Sequence, residues 1–295
     1  MSLINLINRC KDKQSCVNFL QEKGIIPSTM LCRNGHTMLL KLSEDDTQNH
    51  DRWRCKVRAC RQDIQIKTGT WIAGSKLSYK SIILFIYFWA NDMLTIKVAE
   101  KELGLSSRTT VDWANILREV CAYKVLSSQS PIGGKGKTVE IDESLYARRK
   151  NHSGRQLPPQ WVFGGICRET HEVFLYAVPD RSADTLMPLI QANILPGSTI
   201  ISDCWRGYNE LRNHPYYEHL TVNHSLNFVD PNTGAHTQTV ESMWRDMKTR
   251  NKAQFGTARS MIDSYLCEFL WRKMIRNENA FDAILRDIVL FAATL

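Results

Sequence analysis

The sequence predicts an α/β protein: a mixed sheet flanked by helices in the second half, with a small cysteine-bearing module and a helical pair ahead of it. Three observations predict this. After residue 137, three strand-like segments come in succession and then give way to alternating helices and strands. Near the front, Cys and His residues bracket a polar loop. Between these regions lie a helix, a glycine turn and a second helix opening on serine.

A chain of 295 residues is long enough for two domains, or for one large domain with an accessory, and 43% hydrophobic residues is ordinary for a globular protein. The longest apolar run, "IILFIYFWA" from Ile82 to Ala90, is too short to cross a bilayer and reads as a buried helix. No membrane association is expected. The start "MSLINLINRCKDK" lacks the pattern of a secretory signal, so the nine cysteines are expected as reduced thiols or metal ligands. The net charge of +8 is uneven. Met1 to Lys137 holds 21 Lys and Arg against 12 Asp and Glu, whereas Thr138 to Leu295 holds 17 against 18. A basic front half suits a polyanion such as nucleic acid, although excess charge also serves solubility.

Residues 1–77 form the cysteine-bearing region. "LCRNGHTMLL" pairs Cys32 with His36, and "DRWRCKVRAC" pairs Cys55 with Cys60 across the loop "SEDDTQNHD". Two knuckles around a loop are the layout of a structural zinc site, one ion per chain. The spacings are wider than the usual knuckle, and unpaired cysteines in a small core are the alternative. So small a segment has little core, which a metal would offset. Arg52, Arg54, Lys56, Arg58 and Arg61 surround the second knuckle, with Trp53 among them. Strand alternation puts several on one face, which suits a phosphate backbone; a solvated face has the same pattern. Arg54, Lys56 and Arg58 are the candidate DNA contacts.

Residues 78–126 are expected to be helical. "KLSYKSIILFIYFWAND" is one apolar helix. Beyond it, Val98, Leu103 and Leu105 lead through a turn at Gly104, and Ser106 or Ser107 caps a helix carrying Val111, Ala114, Leu117 and Val120 or Cys121. This matches a helix-turn-helix, whose second helix would present Arg108, Thr109 and Asp112 to a DNA groove, although many helical hairpins never touch DNA. Residues 127–137, "SSQSPIGGKGK", read as a linker.

Residues 138–276 follow. "KTVEIDESLYA", "QWVFGGICRE" and "HEVFLYAVP" are strands; "SADTLMPLIQANI" is a helix; "GSTIISDCW" is a buried strand ending at Asp203. A short helix "GYNELRN", a strand "YEHLTVNH" and a longer helix "HTQTVESMWRDMKTRNKA" complete the order, which fits a ribonuclease H-like fold. Residues 277–295 read as a C-terminal helix. Asp142 and Asp203 fall late in their strands, where open α/β sheets hold ligands. Glu241 lies near the start of the long helix, with Arg245, Lys248 and Lys252 within about 40° of it on a helical wheel, while Val240, Met243 and Met247 face the sheet. Alone, each acid is an ordinary surface residue. Together, two Asp and one Glu can hold two magnesium or manganese ions, one activating a water or 3′-hydroxyl and the other stabilising the leaving oxygen. His224 and His236 lie between the strand after Asp203 and the Glu241 helix. At least one is expected to contact a substrate phosphate, His236 before His224 for its nearness to Glu241; capping or loop packing is the alternative.

The stretches "WRCKVRACRQDIQIKTGTW", "VEIDES", "WVFGGICRET", "SDCWRGY" and "VNHSLNFVDPNTGAHTQTVESMW" occur in the order found in the Merlin superfamily of eukaryotic DNA transposases and its bacterial insertion-sequence relatives, which the chain resembles over nearly its whole length. The resemblance implies a cut-and-paste transposase with a ribonuclease H-like domain, and it carries the family's acidic triad to Asp142, Asp203 and Glu241. Its zinc-ribbon positions carry to Cys32, Cys55 and Cys60, with His36 departing from the usual cysteine as fourth ligand. It further implies terminal inverted repeats and target DNA as partners, a dimer or larger synaptic complex, and action in the nucleus. A DNA-binding protein that keeps the fold without catalysis, and a nuclease without transfer activity, are the competing expectations.

Overall fold

The computed structural model describes all residues but 45–49, 147–159, 225, 227, 254–256 and 295, and leaves aside the side chains of 250, 251 and 253. In chain order the elements are α1 (Leu3–Arg9), α2 (Lys13–Glu22), β1 (Met38–Lys41), β2 (Arg52–Cys55), β3 (Asp63–Gln65), α3 (Tyr79–Ala90), α4 (Ile96–Leu103), α5 (Ser107–Ser128), β4 (Ile132–Gly133), β5 (Thr138–Leu145), β6 (Trp161–Cys167) and β7 (Val173–Val178). Then come α6 (Ala183–Asn193), β8 (Ile194–Leu195), β9 (Thr199–Asp203), a 3₁₀ helix (Arg206–Asn213), β10 (Glu218–Val222), α7 (Gln238–Ala253), α8 (Ile262–Met274) and α9 (Ala280–Ala292). They form two compact units, Met1–Lys124 with Ile275–Leu295, and Val125–Met274.

In the first unit α3 is apolar on every side because helices cover it, α2 and α9 among them. Phe19 of α2 stacks on Phe281 of α9 at 6.2 Å, and Tyr87 of α3 meets Phe281 edge-on at 5.2 Å. The C-terminal helix is therefore core to this unit. β1, β2 and β3 form an antiparallel sheet. Trp53 is buried in it, on the face opposite Arg52 and Arg54 as strand alternation requires, so this indole is packing and not a surface for a phosphate backbone. β2 ends at Cys55, which leaves Lys56 and Arg58 beyond the strand, Arg58 in a turn. Asp51 ties the sheet to the helices, accepting from Lys13 Nζ at 2.8 Å and from the Tyr79 hydroxyl at 2.8 Å.

Gly104 closes α4 in the left-handed conformation at φ 64°, and the Ser106 hydroxyl accepts from the Thr109 N–H at 3.2 Å. Of the two candidate serines, Ser106 is thus the cap. The inward face of α5 is Thr110, Trp113, Leu117, Val120 and Cys121. Val111, expected inside, is 46% exposed, because a face centred on Trp113 and Leu117 turns residue 111 outward.

In the second unit the sheet order is β10-β9-β5-β6-β7, with β5, β6 and β7 antiparallel and β5, β9 and β10 parallel. Three antiparallel strands followed by two parallel ones on the far side of the first are the ribonuclease H-like arrangement. Val139 and Ile141 face a core shared with Leu186, Met187 and Ile190 of α6 and Leu211 of the 3₁₀ helix. Helix α7 packs on the other face of β5 and β6 through Val240, Met243, Trp244 and Met247, all buried. Residues 127–137 are more than a tether. They include the end of α5 and then β4, which pairs with β8 and buries Ile132. Gly133 sits at φ +86°, and a Cβ there would come within 2.5 Å of Ser198 Oγ. Among the described residues, no helix is long and apolar enough to cross a membrane.

Candidate active site and metal-binding cluster

The parallel pairing of β5 with β9 sets Thr138 opposite Thr199, Val139 opposite Ile200 and Glu140 opposite Ile201. Carried on, this register brings Asp142 level with Asp203 and on the same face. On its other side Asp142 pairs with Gly164 of β6. Asp142 thus lies where an antiparallel and a parallel neighbour flank the central strand, the kind of switch point that holds ligands in α/β sheets. Burial pushes its carboxyl up to about 7, and the charges of Asp203 and Glu241 add to that. The three acids are therefore electrostatic neighbours.

Each acid is oriented by a donor. Trp244 Nε1 donates to Asp142 Oδ2 at 2.9 Å. The Trp205 backbone N–H donates to Asp203 Oδ1 at 2.9 Å, and the Thr237 hydroxyl donates to Glu241 Oε1 at 3.2 Å. Gly164 makes room for the indole, since a Cβ there would meet Trp244 at 3.0 Å and Leu175 at 2.4 Å. Sequence reasoning passed over Trp244, which reads as one more apolar residue of α7.

It also passed over Glu140, which is fully buried. Its carboxylate accepts from the N–H groups of Thr239 and Val240 at 2.8 and 2.9 Å, from the Thr239 hydroxyl at 2.7 Å, and from Arg168 Nε at 2.5 Å. A strand residue thereby caps α7 and fixes the start of the helix that carries Glu241. The sequence signal was a charge inside an apolar strand run. Glu143, on the opposite face of β5, is also buried; burial pushes it up to about 7, and Asp142 and Asp203 add to the shift.

The two histidines divide unevenly. His236 Nδ1 is turned toward Glu140 Oε1 at 3.6 Å, and its carbonyl accepts from Arg168 at 2.7 Å. His224 is the one beside Glu241: its Nε2 lies 2.8 Å from Thr237 Oγ1 and 3.6 Å from Glu241 Oε1. Nearness in sequence favoured His236, whereas the chain reversal after β10 places His224 at the acid.

In the first unit Cys32, His36, Cys55 and Cys60 converge, with their ligand atoms all within 4.8 Å of one another. Among the described residues this is the one such group. Cys32 Sγ and Cys55 Sγ lie 3.4 and 3.7 Å from His36 Nδ1, and Cys60 Sγ lies 3.6 Å from Cys32 Sγ. A tetrahedral zinc ion, with bonds of about 2.3 Å to sulfur and about 2.0–2.1 Å to nitrogen, spaces its ligands by about 3.5–3.8 Å, so the group fits. A turn with Gly35 at φ +76° brings His36 back over Cys32. Burial pushes the Cys32 thiol up, but the N–H groups of Asn34 and His36 and the neighbouring thiols outweigh this and bring it down to about 7.

The remaining candidates are dispersed. Arg54 is paired with Asp63 at 2.8 Å. Arg108 is exposed at the start of α5, while the Thr109 hydroxyl is engaged with Ser106 at 2.9 Å. On α7, Arg245 and Lys252 are exposed and Lys248 is half-buried.

Among curated proteins, the chain is 23% identical over 315 aligned positions to the male abnormal protein mab-31 of Caenorhabditis elegans, covering 94% of this chain and 68% of that protein. It is 26% identical to an uncharacterized transposase-like protein of Haemophilus influenzae, over 34% of this chain and 80% of that one. Among solved structures it is similar to the catalytic core domain of BIV integrase, with TM-score 0.32, 13% identity, and 50% and 93% of the two chains covered. It is also similar to the simian T-cell lymphotropic virus intasome in complex with PP2A regulatory subunit B56 gamma, with TM-score 0.32, 13% identity, and 64% and 67% covered. Residues 125–273, half of the chain and nearly all of the unit that carries the three acids, match the ISXO2-like transposase domain, and the chain belongs to that family of transposases.

Proposed function

We propose that this chain is a cut-and-paste DNA transposase of the Merlin superfamily. It binds terminal inverted repeats, cuts them and joins them to target DNA, as a dimer or larger synaptic complex in the nucleus. The observation that carries the reading is the register of the central sheet, which sets Asp142 level with Asp203 under the helix bearing Glu241. The donor set, three carboxylates, is of the hard oxygen kind that divalent cations take: burial first and then the charges of Asp203 and Glu241 push Asp142 up, and a cation beside it would offset both. Asp142, Asp203 and Glu241 would hold two magnesium or manganese ions, which when bound supply an activated attacking oxygen and a stabilised leaving oxygen.

The chain's own residues do the rest. Trp244, the Trp205 backbone and Thr237 orient the three carboxylates. His224 donates from Nε2 to the Thr237 hydroxyl, which in turn donates to Glu241, so it holds that carboxylate in place beside the attacked phosphate, while His236 helps hold the start of α7. Arg245, Lys248 and Lys252 continue from Glu241 along α7 and follow the phosphate backbone. Arg108 and Thr109 enter a groove at the start of α5, and Arg54, Lys56 and Arg58 contact backbone nearby. Cys32, His36, Cys55 and Cys60 hold one zinc ion that fixes the first unit. In this reading residues 1–126 recognise the DNA end and 138–276 cut it. The test is to incubate the protein with magnesium and DNA carrying the inverted repeats that flank its gene. Joined products support the reading. Cleavage alone makes the chain a nuclease, and binding alone makes it a DNA-binding protein without catalysis.

A further inference from the structure

Beside Asp203 lies a cavity of about 510 Å³ lined by Arg181, Ser182, Trp205, Arg206, Gly207 and Asn209. Its wall is a ladder of alternating indoles and guanidiniums. Arg181 lies 4.2 Å from the ring of Trp161 and 4.2 Å from that of Trp205, and Arg206 lies 5.6 Å from Trp205. The ladder is locked in place: Trp205 Nε1 donates to the Arg181 carbonyl at 2.9 Å, and a Cβ on Gly207 would come within 2.8 Å of that same nitrogen. It is also continuous with the candidate active site, because the Trp205 backbone N–H holds Asp203.

Stacking between two rings covers the faces of a guanidinium and leaves its in-plane donors free. Among the described residues, Arg54, Arg168, Arg272 and Arg286 each have a carboxylate within ion-pair distance, and Arg181 and Arg206 have none. Arg181 lowers Glu143 through its field without an ion pair. Two planar cations, one held rigid, without acidic partners and facing a cavity, are complementary to tetrahedral oxyanions spaced along a chain.

We propose that this cavity binds the phosphodiester backbone of the DNA strand next to the one attacked at Asp142, Asp203 and Glu241. Arg181 and Arg206 each hold a phosphate edge-on. The inference rests on the reading of the chain as a transposase for the neighbouring attack, but its test does not require cleavage. The affinity of the full chain for a random-sequence duplex of about 30 base pairs is measured by fluorescence anisotropy across a salt series. Arg181→Gln and Arg206→Gln should each weaken binding several-fold and reduce the slope of log affinity against log salt by about one. Arg181→Lys should keep the slope but lose affinity, since an ammonium has no fork and stacks poorly.

Unchanged slopes in both glutamine variants, with native melting, overturn the proposal whatever the cleavage assay gives. Should Arg181→Gln fail to fold, Arg206→Gln decides alone, because its side chain is exposed and only abuts Trp205. Tight binding of deoxyadenosine monophosphate, lost in the same variants while duplex binding is kept, assigns the site to a free nucleotide and also overturns it. A wild-type protein that shows the predicted slopes but joins no DNA ends overturns the transposase reading and leaves this site standing.

Discussion

Asp142 is pulled in two directions: burial and two acidic neighbours favour its protonated form, while the Trp244 N–H favours the ionised one. Trp244→Phe deletes the donor and, with it, the benzo-ring edge that lies over Gly164. We expect it to cost about 1–3 kcal/mol of stability, the lost hydrogen bond and the void together, and to lower metal affinity and cleavage about 10–100-fold. A manganese titration and a single-turnover assay check this, and wild-type values in both would reduce Trp244 to packing. The pH dependence follows from the same carboxyl. Its folded value of about 7 stands above its ordinary 3.8, so between these values the native state holds the extra proton and stability falls as pH rises. Asp142→Asn removes that loss. In metal-free protein its melting advantage over wild type should grow from pH 4 to pH 7 and then level off, reaching roughly 1–3 kcal/mol after discounting for partial exposure. Added magnesium should shrink it. Thermal melts with and without EDTA read both effects. None of this was legible in "TVEIDES" alone, because the partners Trp244 and Gly164 lie on other elements and only the sheet register brings them in.

At the scale of elements, α7 is held by a residue that is not its own. Glu140→Gln leaves Arg168 without its charge partner and weakens the cap, and it should destabilise the protein by about 3–5 kcal/mol in urea unfolding. Arg168→Gln in addition should restore part of that, since the two side chains are coupled. Additive losses would mean that Glu140 acts only as a helix cap. The zinc cluster is the counterpart in the first unit. Cys55→Ser and Cys60→Ser should each release about one zinc per chain and unfold the small sheet, read by metal analysis and circular dichroism. Full zinc retention in either variant contradicts the assignment. These elements were readable to different depths. The strand and helix order of the second unit follows from periodicity, and the cysteine spacing pointed to the cluster. The face of α5 was misread because Val111 and Trp113 are both apolar, and only packing against Trp71 at 5.6 Å selects Trp113.

For the whole molecule, the basic front half and the nearly neutral second half differ in charge as the proposed division between DNA recognition and DNA chemistry requires. The return of α9 to the first unit was not legible, because an amphipathic terminal helix does not declare its partner; the Phe19–Phe281 stack does. The central claim is that Asp142, Asp203 and Glu241 act as one metal-dependent unit, and single-turnover cleavage of an inverted-repeat end by Asp142→Asn, Asp203→Asn and Glu241→Gln tests it most directly. Each change removes a ligand charge and preserves size, so the account predicts losses of about 10³-fold or more in magnesium and in manganese, with DNA binding retained. Near-wild-type cleavage by any one of the three in both metals would contradict it.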